Sequence, residues 1–375
     1  MLEKNRQQIK TAPAAGISTD ESPTSGNHVT SEHLEVSLLS SLIDPVITEK
    51  RLQFESKSGI TPPPASGQEW PASVGQVGGG VNIDFELTRQ SYGLFAKIQP
   101  VEFRRIISNL VNNAVESLGD NGAVNVGLVC EDGNIILTIT DTGKGIPPEI
   151  LAKLGTRGET HGKAGGSGLG LFHARTTAER WGGSLEIKSE LSKGTSVTVK
   201  LPAAEPPAWF VSNLELPSGK VVVVLDDDET IHQVWQGRFV SARVKEHDIE
   251  IIHFSKPDKL REWVKNNPAK SENAIYLFDY ELLGYKETGL SLAEELGLCD
   301  KTILISSRCE EKRIIEECKR LKIPRIPKGL ADFVPIQIGD SKKQKDSHGK
   351  RKYSVNAVGV GAGFIRPAYF SGSMN

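Results

Sequence analysis

Helical spacing across "VEFRRIISNLVNNAVESL", residues 101–118, sorts two residue classes onto two faces. At 100° per residue, Phe103, Ile106, Ile107, Leu110, Val111, Ala114 and Leu118 form one apolar stripe, and Arg105, Asn109, Asn112, Asn113 and Glu116 fall opposite. Asparagine is a weak helix former. Three of them on a face where Lys and Glu would serve solubility better point to a ligand. Their amide oxygens are neutral, hard donors that suit a Mg²⁺ shared with water and phosphate oxygens. Downstream, the alternating strand pattern "GNIILTIT" runs into "DTGKGIPPEI", residues 141–150. An acid at a strand end can accept a hydrogen bond from an exocyclic amine such as that of adenine. Gly143 and Gly145 offer positive φ and close backbone approach to a ring. A second glycine cluster, "GGSGLGL", opens a helix whose free N–H groups and dipole suit a polyphosphate. Taken singly, these are also an Asn-rich surface, a hairpin turn and a loop. Taken together, within residues 109–170, they describe one nucleotide site.

A second group of chemistry-bearing residues follows. "KVVVVLDDDE" is a near-continuous apolar run that ends in acids, and "AIYLFD", "TILISS" and "IPRIPK" come after it at intervals that leave room for helices. Continuous apolar strands mark a parallel sheet buried on both faces, with ligands beyond the carboxyl ends of the strands. That edge would gather Asp226, Asp227, Asp279, Ser306 and Lys328. Clustered carboxylates repel unless a cation such as Mg²⁺ joins them. A carboxylate can also accept a phosphoryl group, whose oxygens a metal, a hydroxyl and a lysine would hold.

Residues 100–202 resemble the catalytic ATP-binding domain of bacterial sensor histidine kinases. "NLVNNAVES" matches the family's N box, "DTGKGIP" its first glycine box, "GGSGLGL" its second, and "GGSLEIKSELSKGTSVTVKLP" its final strands. The resemblance implies an α/β sandwich, a mixed sheet with helices on one face and ATP under a mobile lid. By position, Asn113 would ligate Mg²⁺, Asn109 would line the phosphate side, Glu116 would be a further cofactor-binding residue, and Asp141 would read adenine while Gly143 and Gly145 form the base pocket. Gly166, Gly168, Leu169 and Gly170 would sit by the phosphates as the lid's hinge. Arg157 and Lys163, on a lid of roughly residues 154–165, would meet the γ-phosphate. The wider superfamily also holds chaperone, mismatch-repair and topoisomerase ATPases, which carry a water-activating glutamate where this chain has Asn109. A neutral amide is no general base, so transfer to a histidine imidazole fits better than hydrolysis.

Residues 219–335 resemble a response-regulator receiver, a doubly wound parallel sheet. That resemblance makes Asp279 the phosphoacceptor, Asp226 and Asp227 the Mg²⁺ ligands with the backbone carbonyl of Glu281, and Ser306 and Lys328 the switch hydroxyl and lysine. Two positions depart from the pattern: Gly329 follows the lysine in place of proline, and Arg325 stands where the family has an aromatic output switch. The last helix is not evident, since "ADFVPIQI" contains Pro335 and reads as a strand.

The expected organisation is a disordered arm (1–30), a helical connector (31–60), the ATP-binding domain (61–202), a linker (203–218), the receiver-like domain (219–335) and a basic tail (336–375). In the connector, Ser31 would cap a helix carrying Leu34, Val36, Leu38, Leu39 and Leu42. None of the eight histidines has the acid and following proline of the family's phosphoacceptor motif. His33 is followed by no proline before Pro45, and His173 sits just past the second glycine cluster. The chain therefore reads as the cytoplasmic end of a hybrid kinase that lacks its own hairpin. Its histidine would lie in a longer parent or on a partner, a dimerisation hairpin or phosphotransfer protein, with a response regulator as further partner. The alternative is a nucleotide-gated module that docks without catalysis. A net charge of −2 argues against a nucleic-acid binder. No apolar run is long enough to span a membrane, and no membrane contact by this chain is expected. Cys130, Cys299, Cys309 and Cys318 form no CxxC pair and read as small buried thiols of a reducing cytosol.

Overall fold

The computed structural model describes residues 33–55, 80–151 and 169–339. The chain divides into two compact units, residues 1–207 and 208–375.

The first unit holds β1 (Glu35–Leu38), α1 (Leu39–Glu55), β2 (Val81–Glu86), β3 (Phe95–Ile98), α2 (Pro100–Leu118), β4 (Gly122–Glu131), β5 (Asn134–Asp141), α3 (Pro148–Leu151), α4 (Leu169–Arg180), β6 (Ser184–Glu190) and β7 (Gly194–Ala204). The sheet order is β1-β3-β7-β5-β4-β2, with β6 also on β7; β2 and β4 run parallel and the other pairs antiparallel. Along β5, Ile135, Leu137, Ile139 and Asp141 are buried while the intervening residues are half-buried, the period-2 signature of a sheet covered on one face. Three helices supply that cover. The α2 stripe expected from sequence is buried from Phe103 to Ala114, joined by Val115, and packs with Leu39, Ile43 and Ile47 of α1 and Ala174 and Ala178 of α4.

The 31–60 segment differs from its expectation. Leu34, Val36 and Leu38 alternate, a strand period, and Glu35–Leu38 pairs antiparallel with Phe95–Ile98. The helix starts only at Leu39, beyond the reach of a Ser31 cap, and α1 belongs to the same core as the sheet.

The second unit holds β8 (Leu214–Pro217), β9 (Val221–Leu225), α5 (Glu229–Ser241), β10 (Glu250–Phe254), α6 (Pro257–Asn266), α7 (Pro268–Glu272), β11 (Ala274–Asp279), α8 (Gly289–Glu295), β12 (Thr302–Ser306), α9 (Lys312–Leu321), β13 (Arg325–Pro327) and β14 (Ile336–Gly339). Five strands form a wholly parallel sheet in the order β10-β9-β11-β12-β13. Every residue of β9 is buried. Val221, Val223 and Leu225 join a core with Leu260 of α6, Leu290 and Leu292 of α8 and Ile314 of α9. Val222 and Val224 point the other way by strand period and are as fully buried, so both faces are covered.

Only a short 3-10 turn, Lys328–Leu330, and no α-helix follows β13 among the described residues. Instead β14 pairs in parallel with β8, so part of the stretches read as linker and tail makes a two-stranded ribbon. At β13 the backbone of Arg325 bonds to Trp209 O (2.7 Å) and to Val211 N (3.3 Å), and its guanidinium lies 4.5 Å over the Trp209 ring. Cys309 and Cys318 are buried as expected and Cys299 is half-buried, but Cys130 is exposed: by strand period it shares the face of Val124, Val126 and Leu128, yet it lies one residue from the end of β4, where burial has run out. Residues 1–32 and 340–375 lie outside the described residues.

Candidate functional sites

The acid at the end of β5 is held by three segments. Asp141 is 5% exposed. Its Oδ1 accepts hydrogen bonds from Ser117 Oγ (2.7 Å), Gly143 N (2.8 Å) and Thr195 N (3.3 Å). Its Oδ2 has no hydrogen bond among the described residues. Lys144 N donates to Ser117 O at 3.1 Å, so the end of α2 is tied to the acidic turn through both side chain and backbone.

The two glycines of that turn serve different ends. Gly145 takes φ +66°, and a Cβ there would lie 2.1 Å from Glu190 O. Gly143 does not take positive φ, contrary to the sequence expectation. It is required for space, since a Cβ would lie 1.9 Å from Ser117 Oγ. Both close approaches are to the chain's own backbone and side chains.

On the polar face of α2, Asn109 is half-buried and Asn113 and Glu116 are exposed. Helix α4 starts at Leu169 against that face: a Cβ on Gly170 would stand 3.8 Å from Asn109 Nδ2. The structure thus brings the amide face and the second glycine cluster together at Gly170. His173, one turn on, places Nε2 3.0 Å from Glu102 Oε2 of α2. Arg157, Lys163, Gly166 and Gly168 lie outside the described residues.

In the second unit the strand ends converge. Asp226 follows β9, Asp279 ends β11, Ser306 ends β12 and Lys328 follows β13. β9 lies between β10 and β11, and the crevice at such a reversal of strand order is where ligands bind. Carboxylate oxygens of Asp226, Asp227 and Asp279 all lie within 4.8 Å of one another. Lys328 Nζ reaches Asp279 Oδ2 at 2.7 Å and Asp226 Oδ2 at 2.9 Å. Asp279 Oδ1 accepts from Tyr280 N at 2.7 Å, and Asp226 Oδ1 from Asp228 N at 2.9 Å. The third acid of "DDDE" serves the helix instead, since Asp228 caps α5 by accepting from Thr230 N at 2.8 Å. Ser306 Oγ is buried and accepts from Arg308 N at 3.1 Å, while the Glu281 carboxylate pairs with the Arg308 guanidinium.

The electrostatics of this pocket favour an added cation. Burial raises the Asp279 carboxyl to about 6, opposed by its bond to Lys328 and helped by the neighbouring Asp226 charge. Burial likewise raises Asp226, with Lys328 and the Asp228 N–H opposing. Burial alone would lower the Lys328 ammonium; its bonds to Asp279 and Asp226 outweigh that and raise it. Three hard oxygen donors with one ammonium among them leave net negative charge in a half-closed site, a donor set that fits a small divalent cation.

Residues 98–205 match the family described as "Histidine kinase-, DNA gyrase B-, and HSP90-like ATPase". "Histidine protein kinase DivJ" of Caulobacter vibrioides is 41% identical over 103 residues, 26% of this chain and 17% of that protein. "Sensor protein SrrB" of Staphylococcus aureus is 39% identical over 111 residues, 27% of this chain and 18% of that protein. The chain thus matches under a fifth of the length of either relative. Among solved structures, "Mycobacterial sensor histidine kinase MprB" is 22% identical with a TM-score of 0.36, covering 46% of this chain and 99% of that one. The full-length ShkA structure in complex with AMPPNP is 17% identical with a TM-score of 0.37, covering 81% of this chain and 54% of that one.

Three residues that build the acidic turn carry little signal in the sequence: Ser117, Thr195 and Gly194. Ser117 was one more polar residue on α2, and Thr195 contributes through its backbone, which no side-chain pattern reveals. Gly194 takes φ +112°, and a Cβ there would lie 1.9 Å from Asp141 O. "KGTSV" opening a strand was the available signal. In the second unit, Gly289 is its counterpart, with a Cβ 1.9 Å from Asp279 O.

Proposed function

We propose that this chain is a two-component phosphotransfer module. The first unit binds Mg-ATP, and the second accepts a phosphoryl group on Asp279. The observation that supports the nucleotide reading best is the divided carboxylate of Asp141. One oxygen is saturated by protein donors and the other is left for a ligand donor such as the adenine amine. Asn109 and Gly170, which come together where α4 starts against α2, suit the phosphates. The family match, and relatives named as a histidine protein kinase and a sensor protein, support the kinase class.

In this reading a histidine imidazole nitrogen, on another segment or chain, attacks the γ-phosphorus. The bond from that phosphorus to the bridging oxygen breaks, and ADP leaves. Asp279 then attacks the phosphohistidine with one carboxylate oxygen. The P–N bond breaks, the imidazole regains a proton from solvent and Asp279 becomes an acyl phosphate. Lys328, already 2.7 Å from Asp279 Oδ2, and Ser306 would hold the phosphoryl oxygens. Mg²⁺ would be held by Asn113 in the first unit and by Asp226, Asp227, Asp279 and the Glu281 carbonyl in the second; bound there, it offsets the charge on phosphoryl oxygens. Gly166, Gly168, Arg157 and Lys163 complete the phosphate side of the proposal, and a cytoplasmic site of action follows from its partners. Among the described residues no helix is long and apolar enough to cross a membrane.

The second reading, a nucleotide-gated docking module, draws on the end of the second unit. There the β8–β14 ribbon stands where a receiver would place its last helix, and Arg325 is buried under Trp209. Supplying the chain with labelled ATP and a separate histidine-hairpin protein separates the two. The relay predicts label on the hairpin and then on the chain, with chain labelling lost in Asp279→Asn. Tight ATP binding with no label on any hairpin favours the docking module.

A further inference from the structure

Ser117 Oγ lies between two acceptors, 2.7 Å from Asp141 Oδ1 and 2.8 Å from Ala114 O. A hydroxyl has one proton to give. The carboxylate is the stronger acceptor, so the proton belongs to Asp141. Oδ1 then receives three donors, from Ser117, Gly143 and Thr195, which exhausts its lone pairs. Swinging the carboxylate about its own axis would break all three bonds. Oδ2 is thereby fixed as the oxygen without a partner among the described residues. The hydroxyl is the one side-chain donor of the three; the other two are backbone N–H groups.

From this geometry we infer that Ser117 is a positioning residue that sets the nucleobase preference of the site. By pinning Oδ1, it presents the lone pairs of Oδ2 in one orientation, and only a base bringing a donor there is accepted. Adenine brings its exocyclic amine, whereas guanine brings a carbonyl oxygen that meets those lone pairs unfavourably. The inference rests on the reading of this site as an ATP pocket and adds to it the residue that orients the reader. Because Ser117 also receives Lys144 N on its carbonyl and leaves no room for a side chain at 143, it couples the end of the amide-bearing helix to the acidic turn.

The test is calorimetric titration of the full chain in Mg²⁺ with two nucleotides, for the parent and for Ser117→Ala. The nucleotides are ATP and purine riboside triphosphate, which has hydrogen in place of the amine. Loss of the tether should weaken ATP roughly three- to tenfold, the scale of one weakened hydrogen bond to a charged group. Purine riboside triphosphate should bind parent and variant alike, so the preference between the two narrows by that factor. An equal loss for both nucleotides would reduce Ser117 to a structural residue and overturn the inference, as would an ATP preference kept in full. A parent that binds neither nucleotide overturns the ATP reading itself and this inference with it.

Discussion

At Asp279, burial and ion pairing act in opposite directions, and burial prevails. Unfolded, an aspartate titrates near ~3.9; in the pocket its carboxyl is raised to about 6. Between those values the folded chain holds more protons than the unfolded one, so this group's contribution to stability falls as pH rises through the window. At ~1.36 kcal/mol per unit, the penalty above the window is on the order of 2–3 kcal/mol. Asp279→Asn removes it while keeping the shape. In chelator at pH 7, the variant should be more stable than the parent by about 1–3 kcal/mol, allowing for the lost bond to Lys328. The difference should close as the pH is lowered toward ~4. Urea denaturation across that range checks it. A variant less stable than the parent at neutral pH would mean that the Lys328 pair outweighs burial.

Among the elements, the turns show where small residues are demanded by packing and where by φ alone. Gly145 combines φ +66° with a Cβ position 2.1 Å from Glu190 O, whereas Gly133, in the β4–β5 hairpin, has φ +74° and open space around it. Alanine at 133 should cost roughly 1–2 kcal/mol, the ordinary strain of left-handed backbone. Alanine at 145 should cost clearly more, because Glu190 must move as well, and β6 with it. Equal melting shifts for the two variants would show that the turn relaxes freely. The sequence made much of this level legible. The α2 stripe, the alternation of β5 and the unbroken apolar run of β9 each follow one period, and each period names its element. What stayed hidden is what local pattern does not encode. The alternation through Leu38 was absorbed into the helix that follows it. β8 and β14 pair across a long stretch of chain, and Arg325 finds Trp209 only once β13 has an edge. At the acidic turn, types and spacing marked Asp141 and its glycines, but two of the three donors to Asp141 are backbone N–H groups, which every residue but proline carries.

At the scale of the whole chain, the proposed relay assigns one chemistry to each of the two units: a nucleotide with its cation to the first, and a phosphoryl group to the carboxylate cluster of the second. That proposal depends on the first, in which the amide face of α2, the acidic turn and the start of α4 would enclose one triphosphate and its Mg²⁺. The direct measurement is calorimetric titration of ATP with and without Mg²⁺, for the parent, Asp141→Ala, Asn113→Ala and Asp279→Asn. A shared enclosure predicts Mg²⁺-dependent binding by the parent, roughly tenfold or greater weakening in Asp141→Ala from a lost hydrogen bond to a charged group, loss of the Mg²⁺ dependence in Asn113→Ala, and parent-like binding in Asp279→Asn. A parent that does not bind ATP, or Asp141→Ala and Asn113→Ala chains that bind it as the parent does, would contradict it.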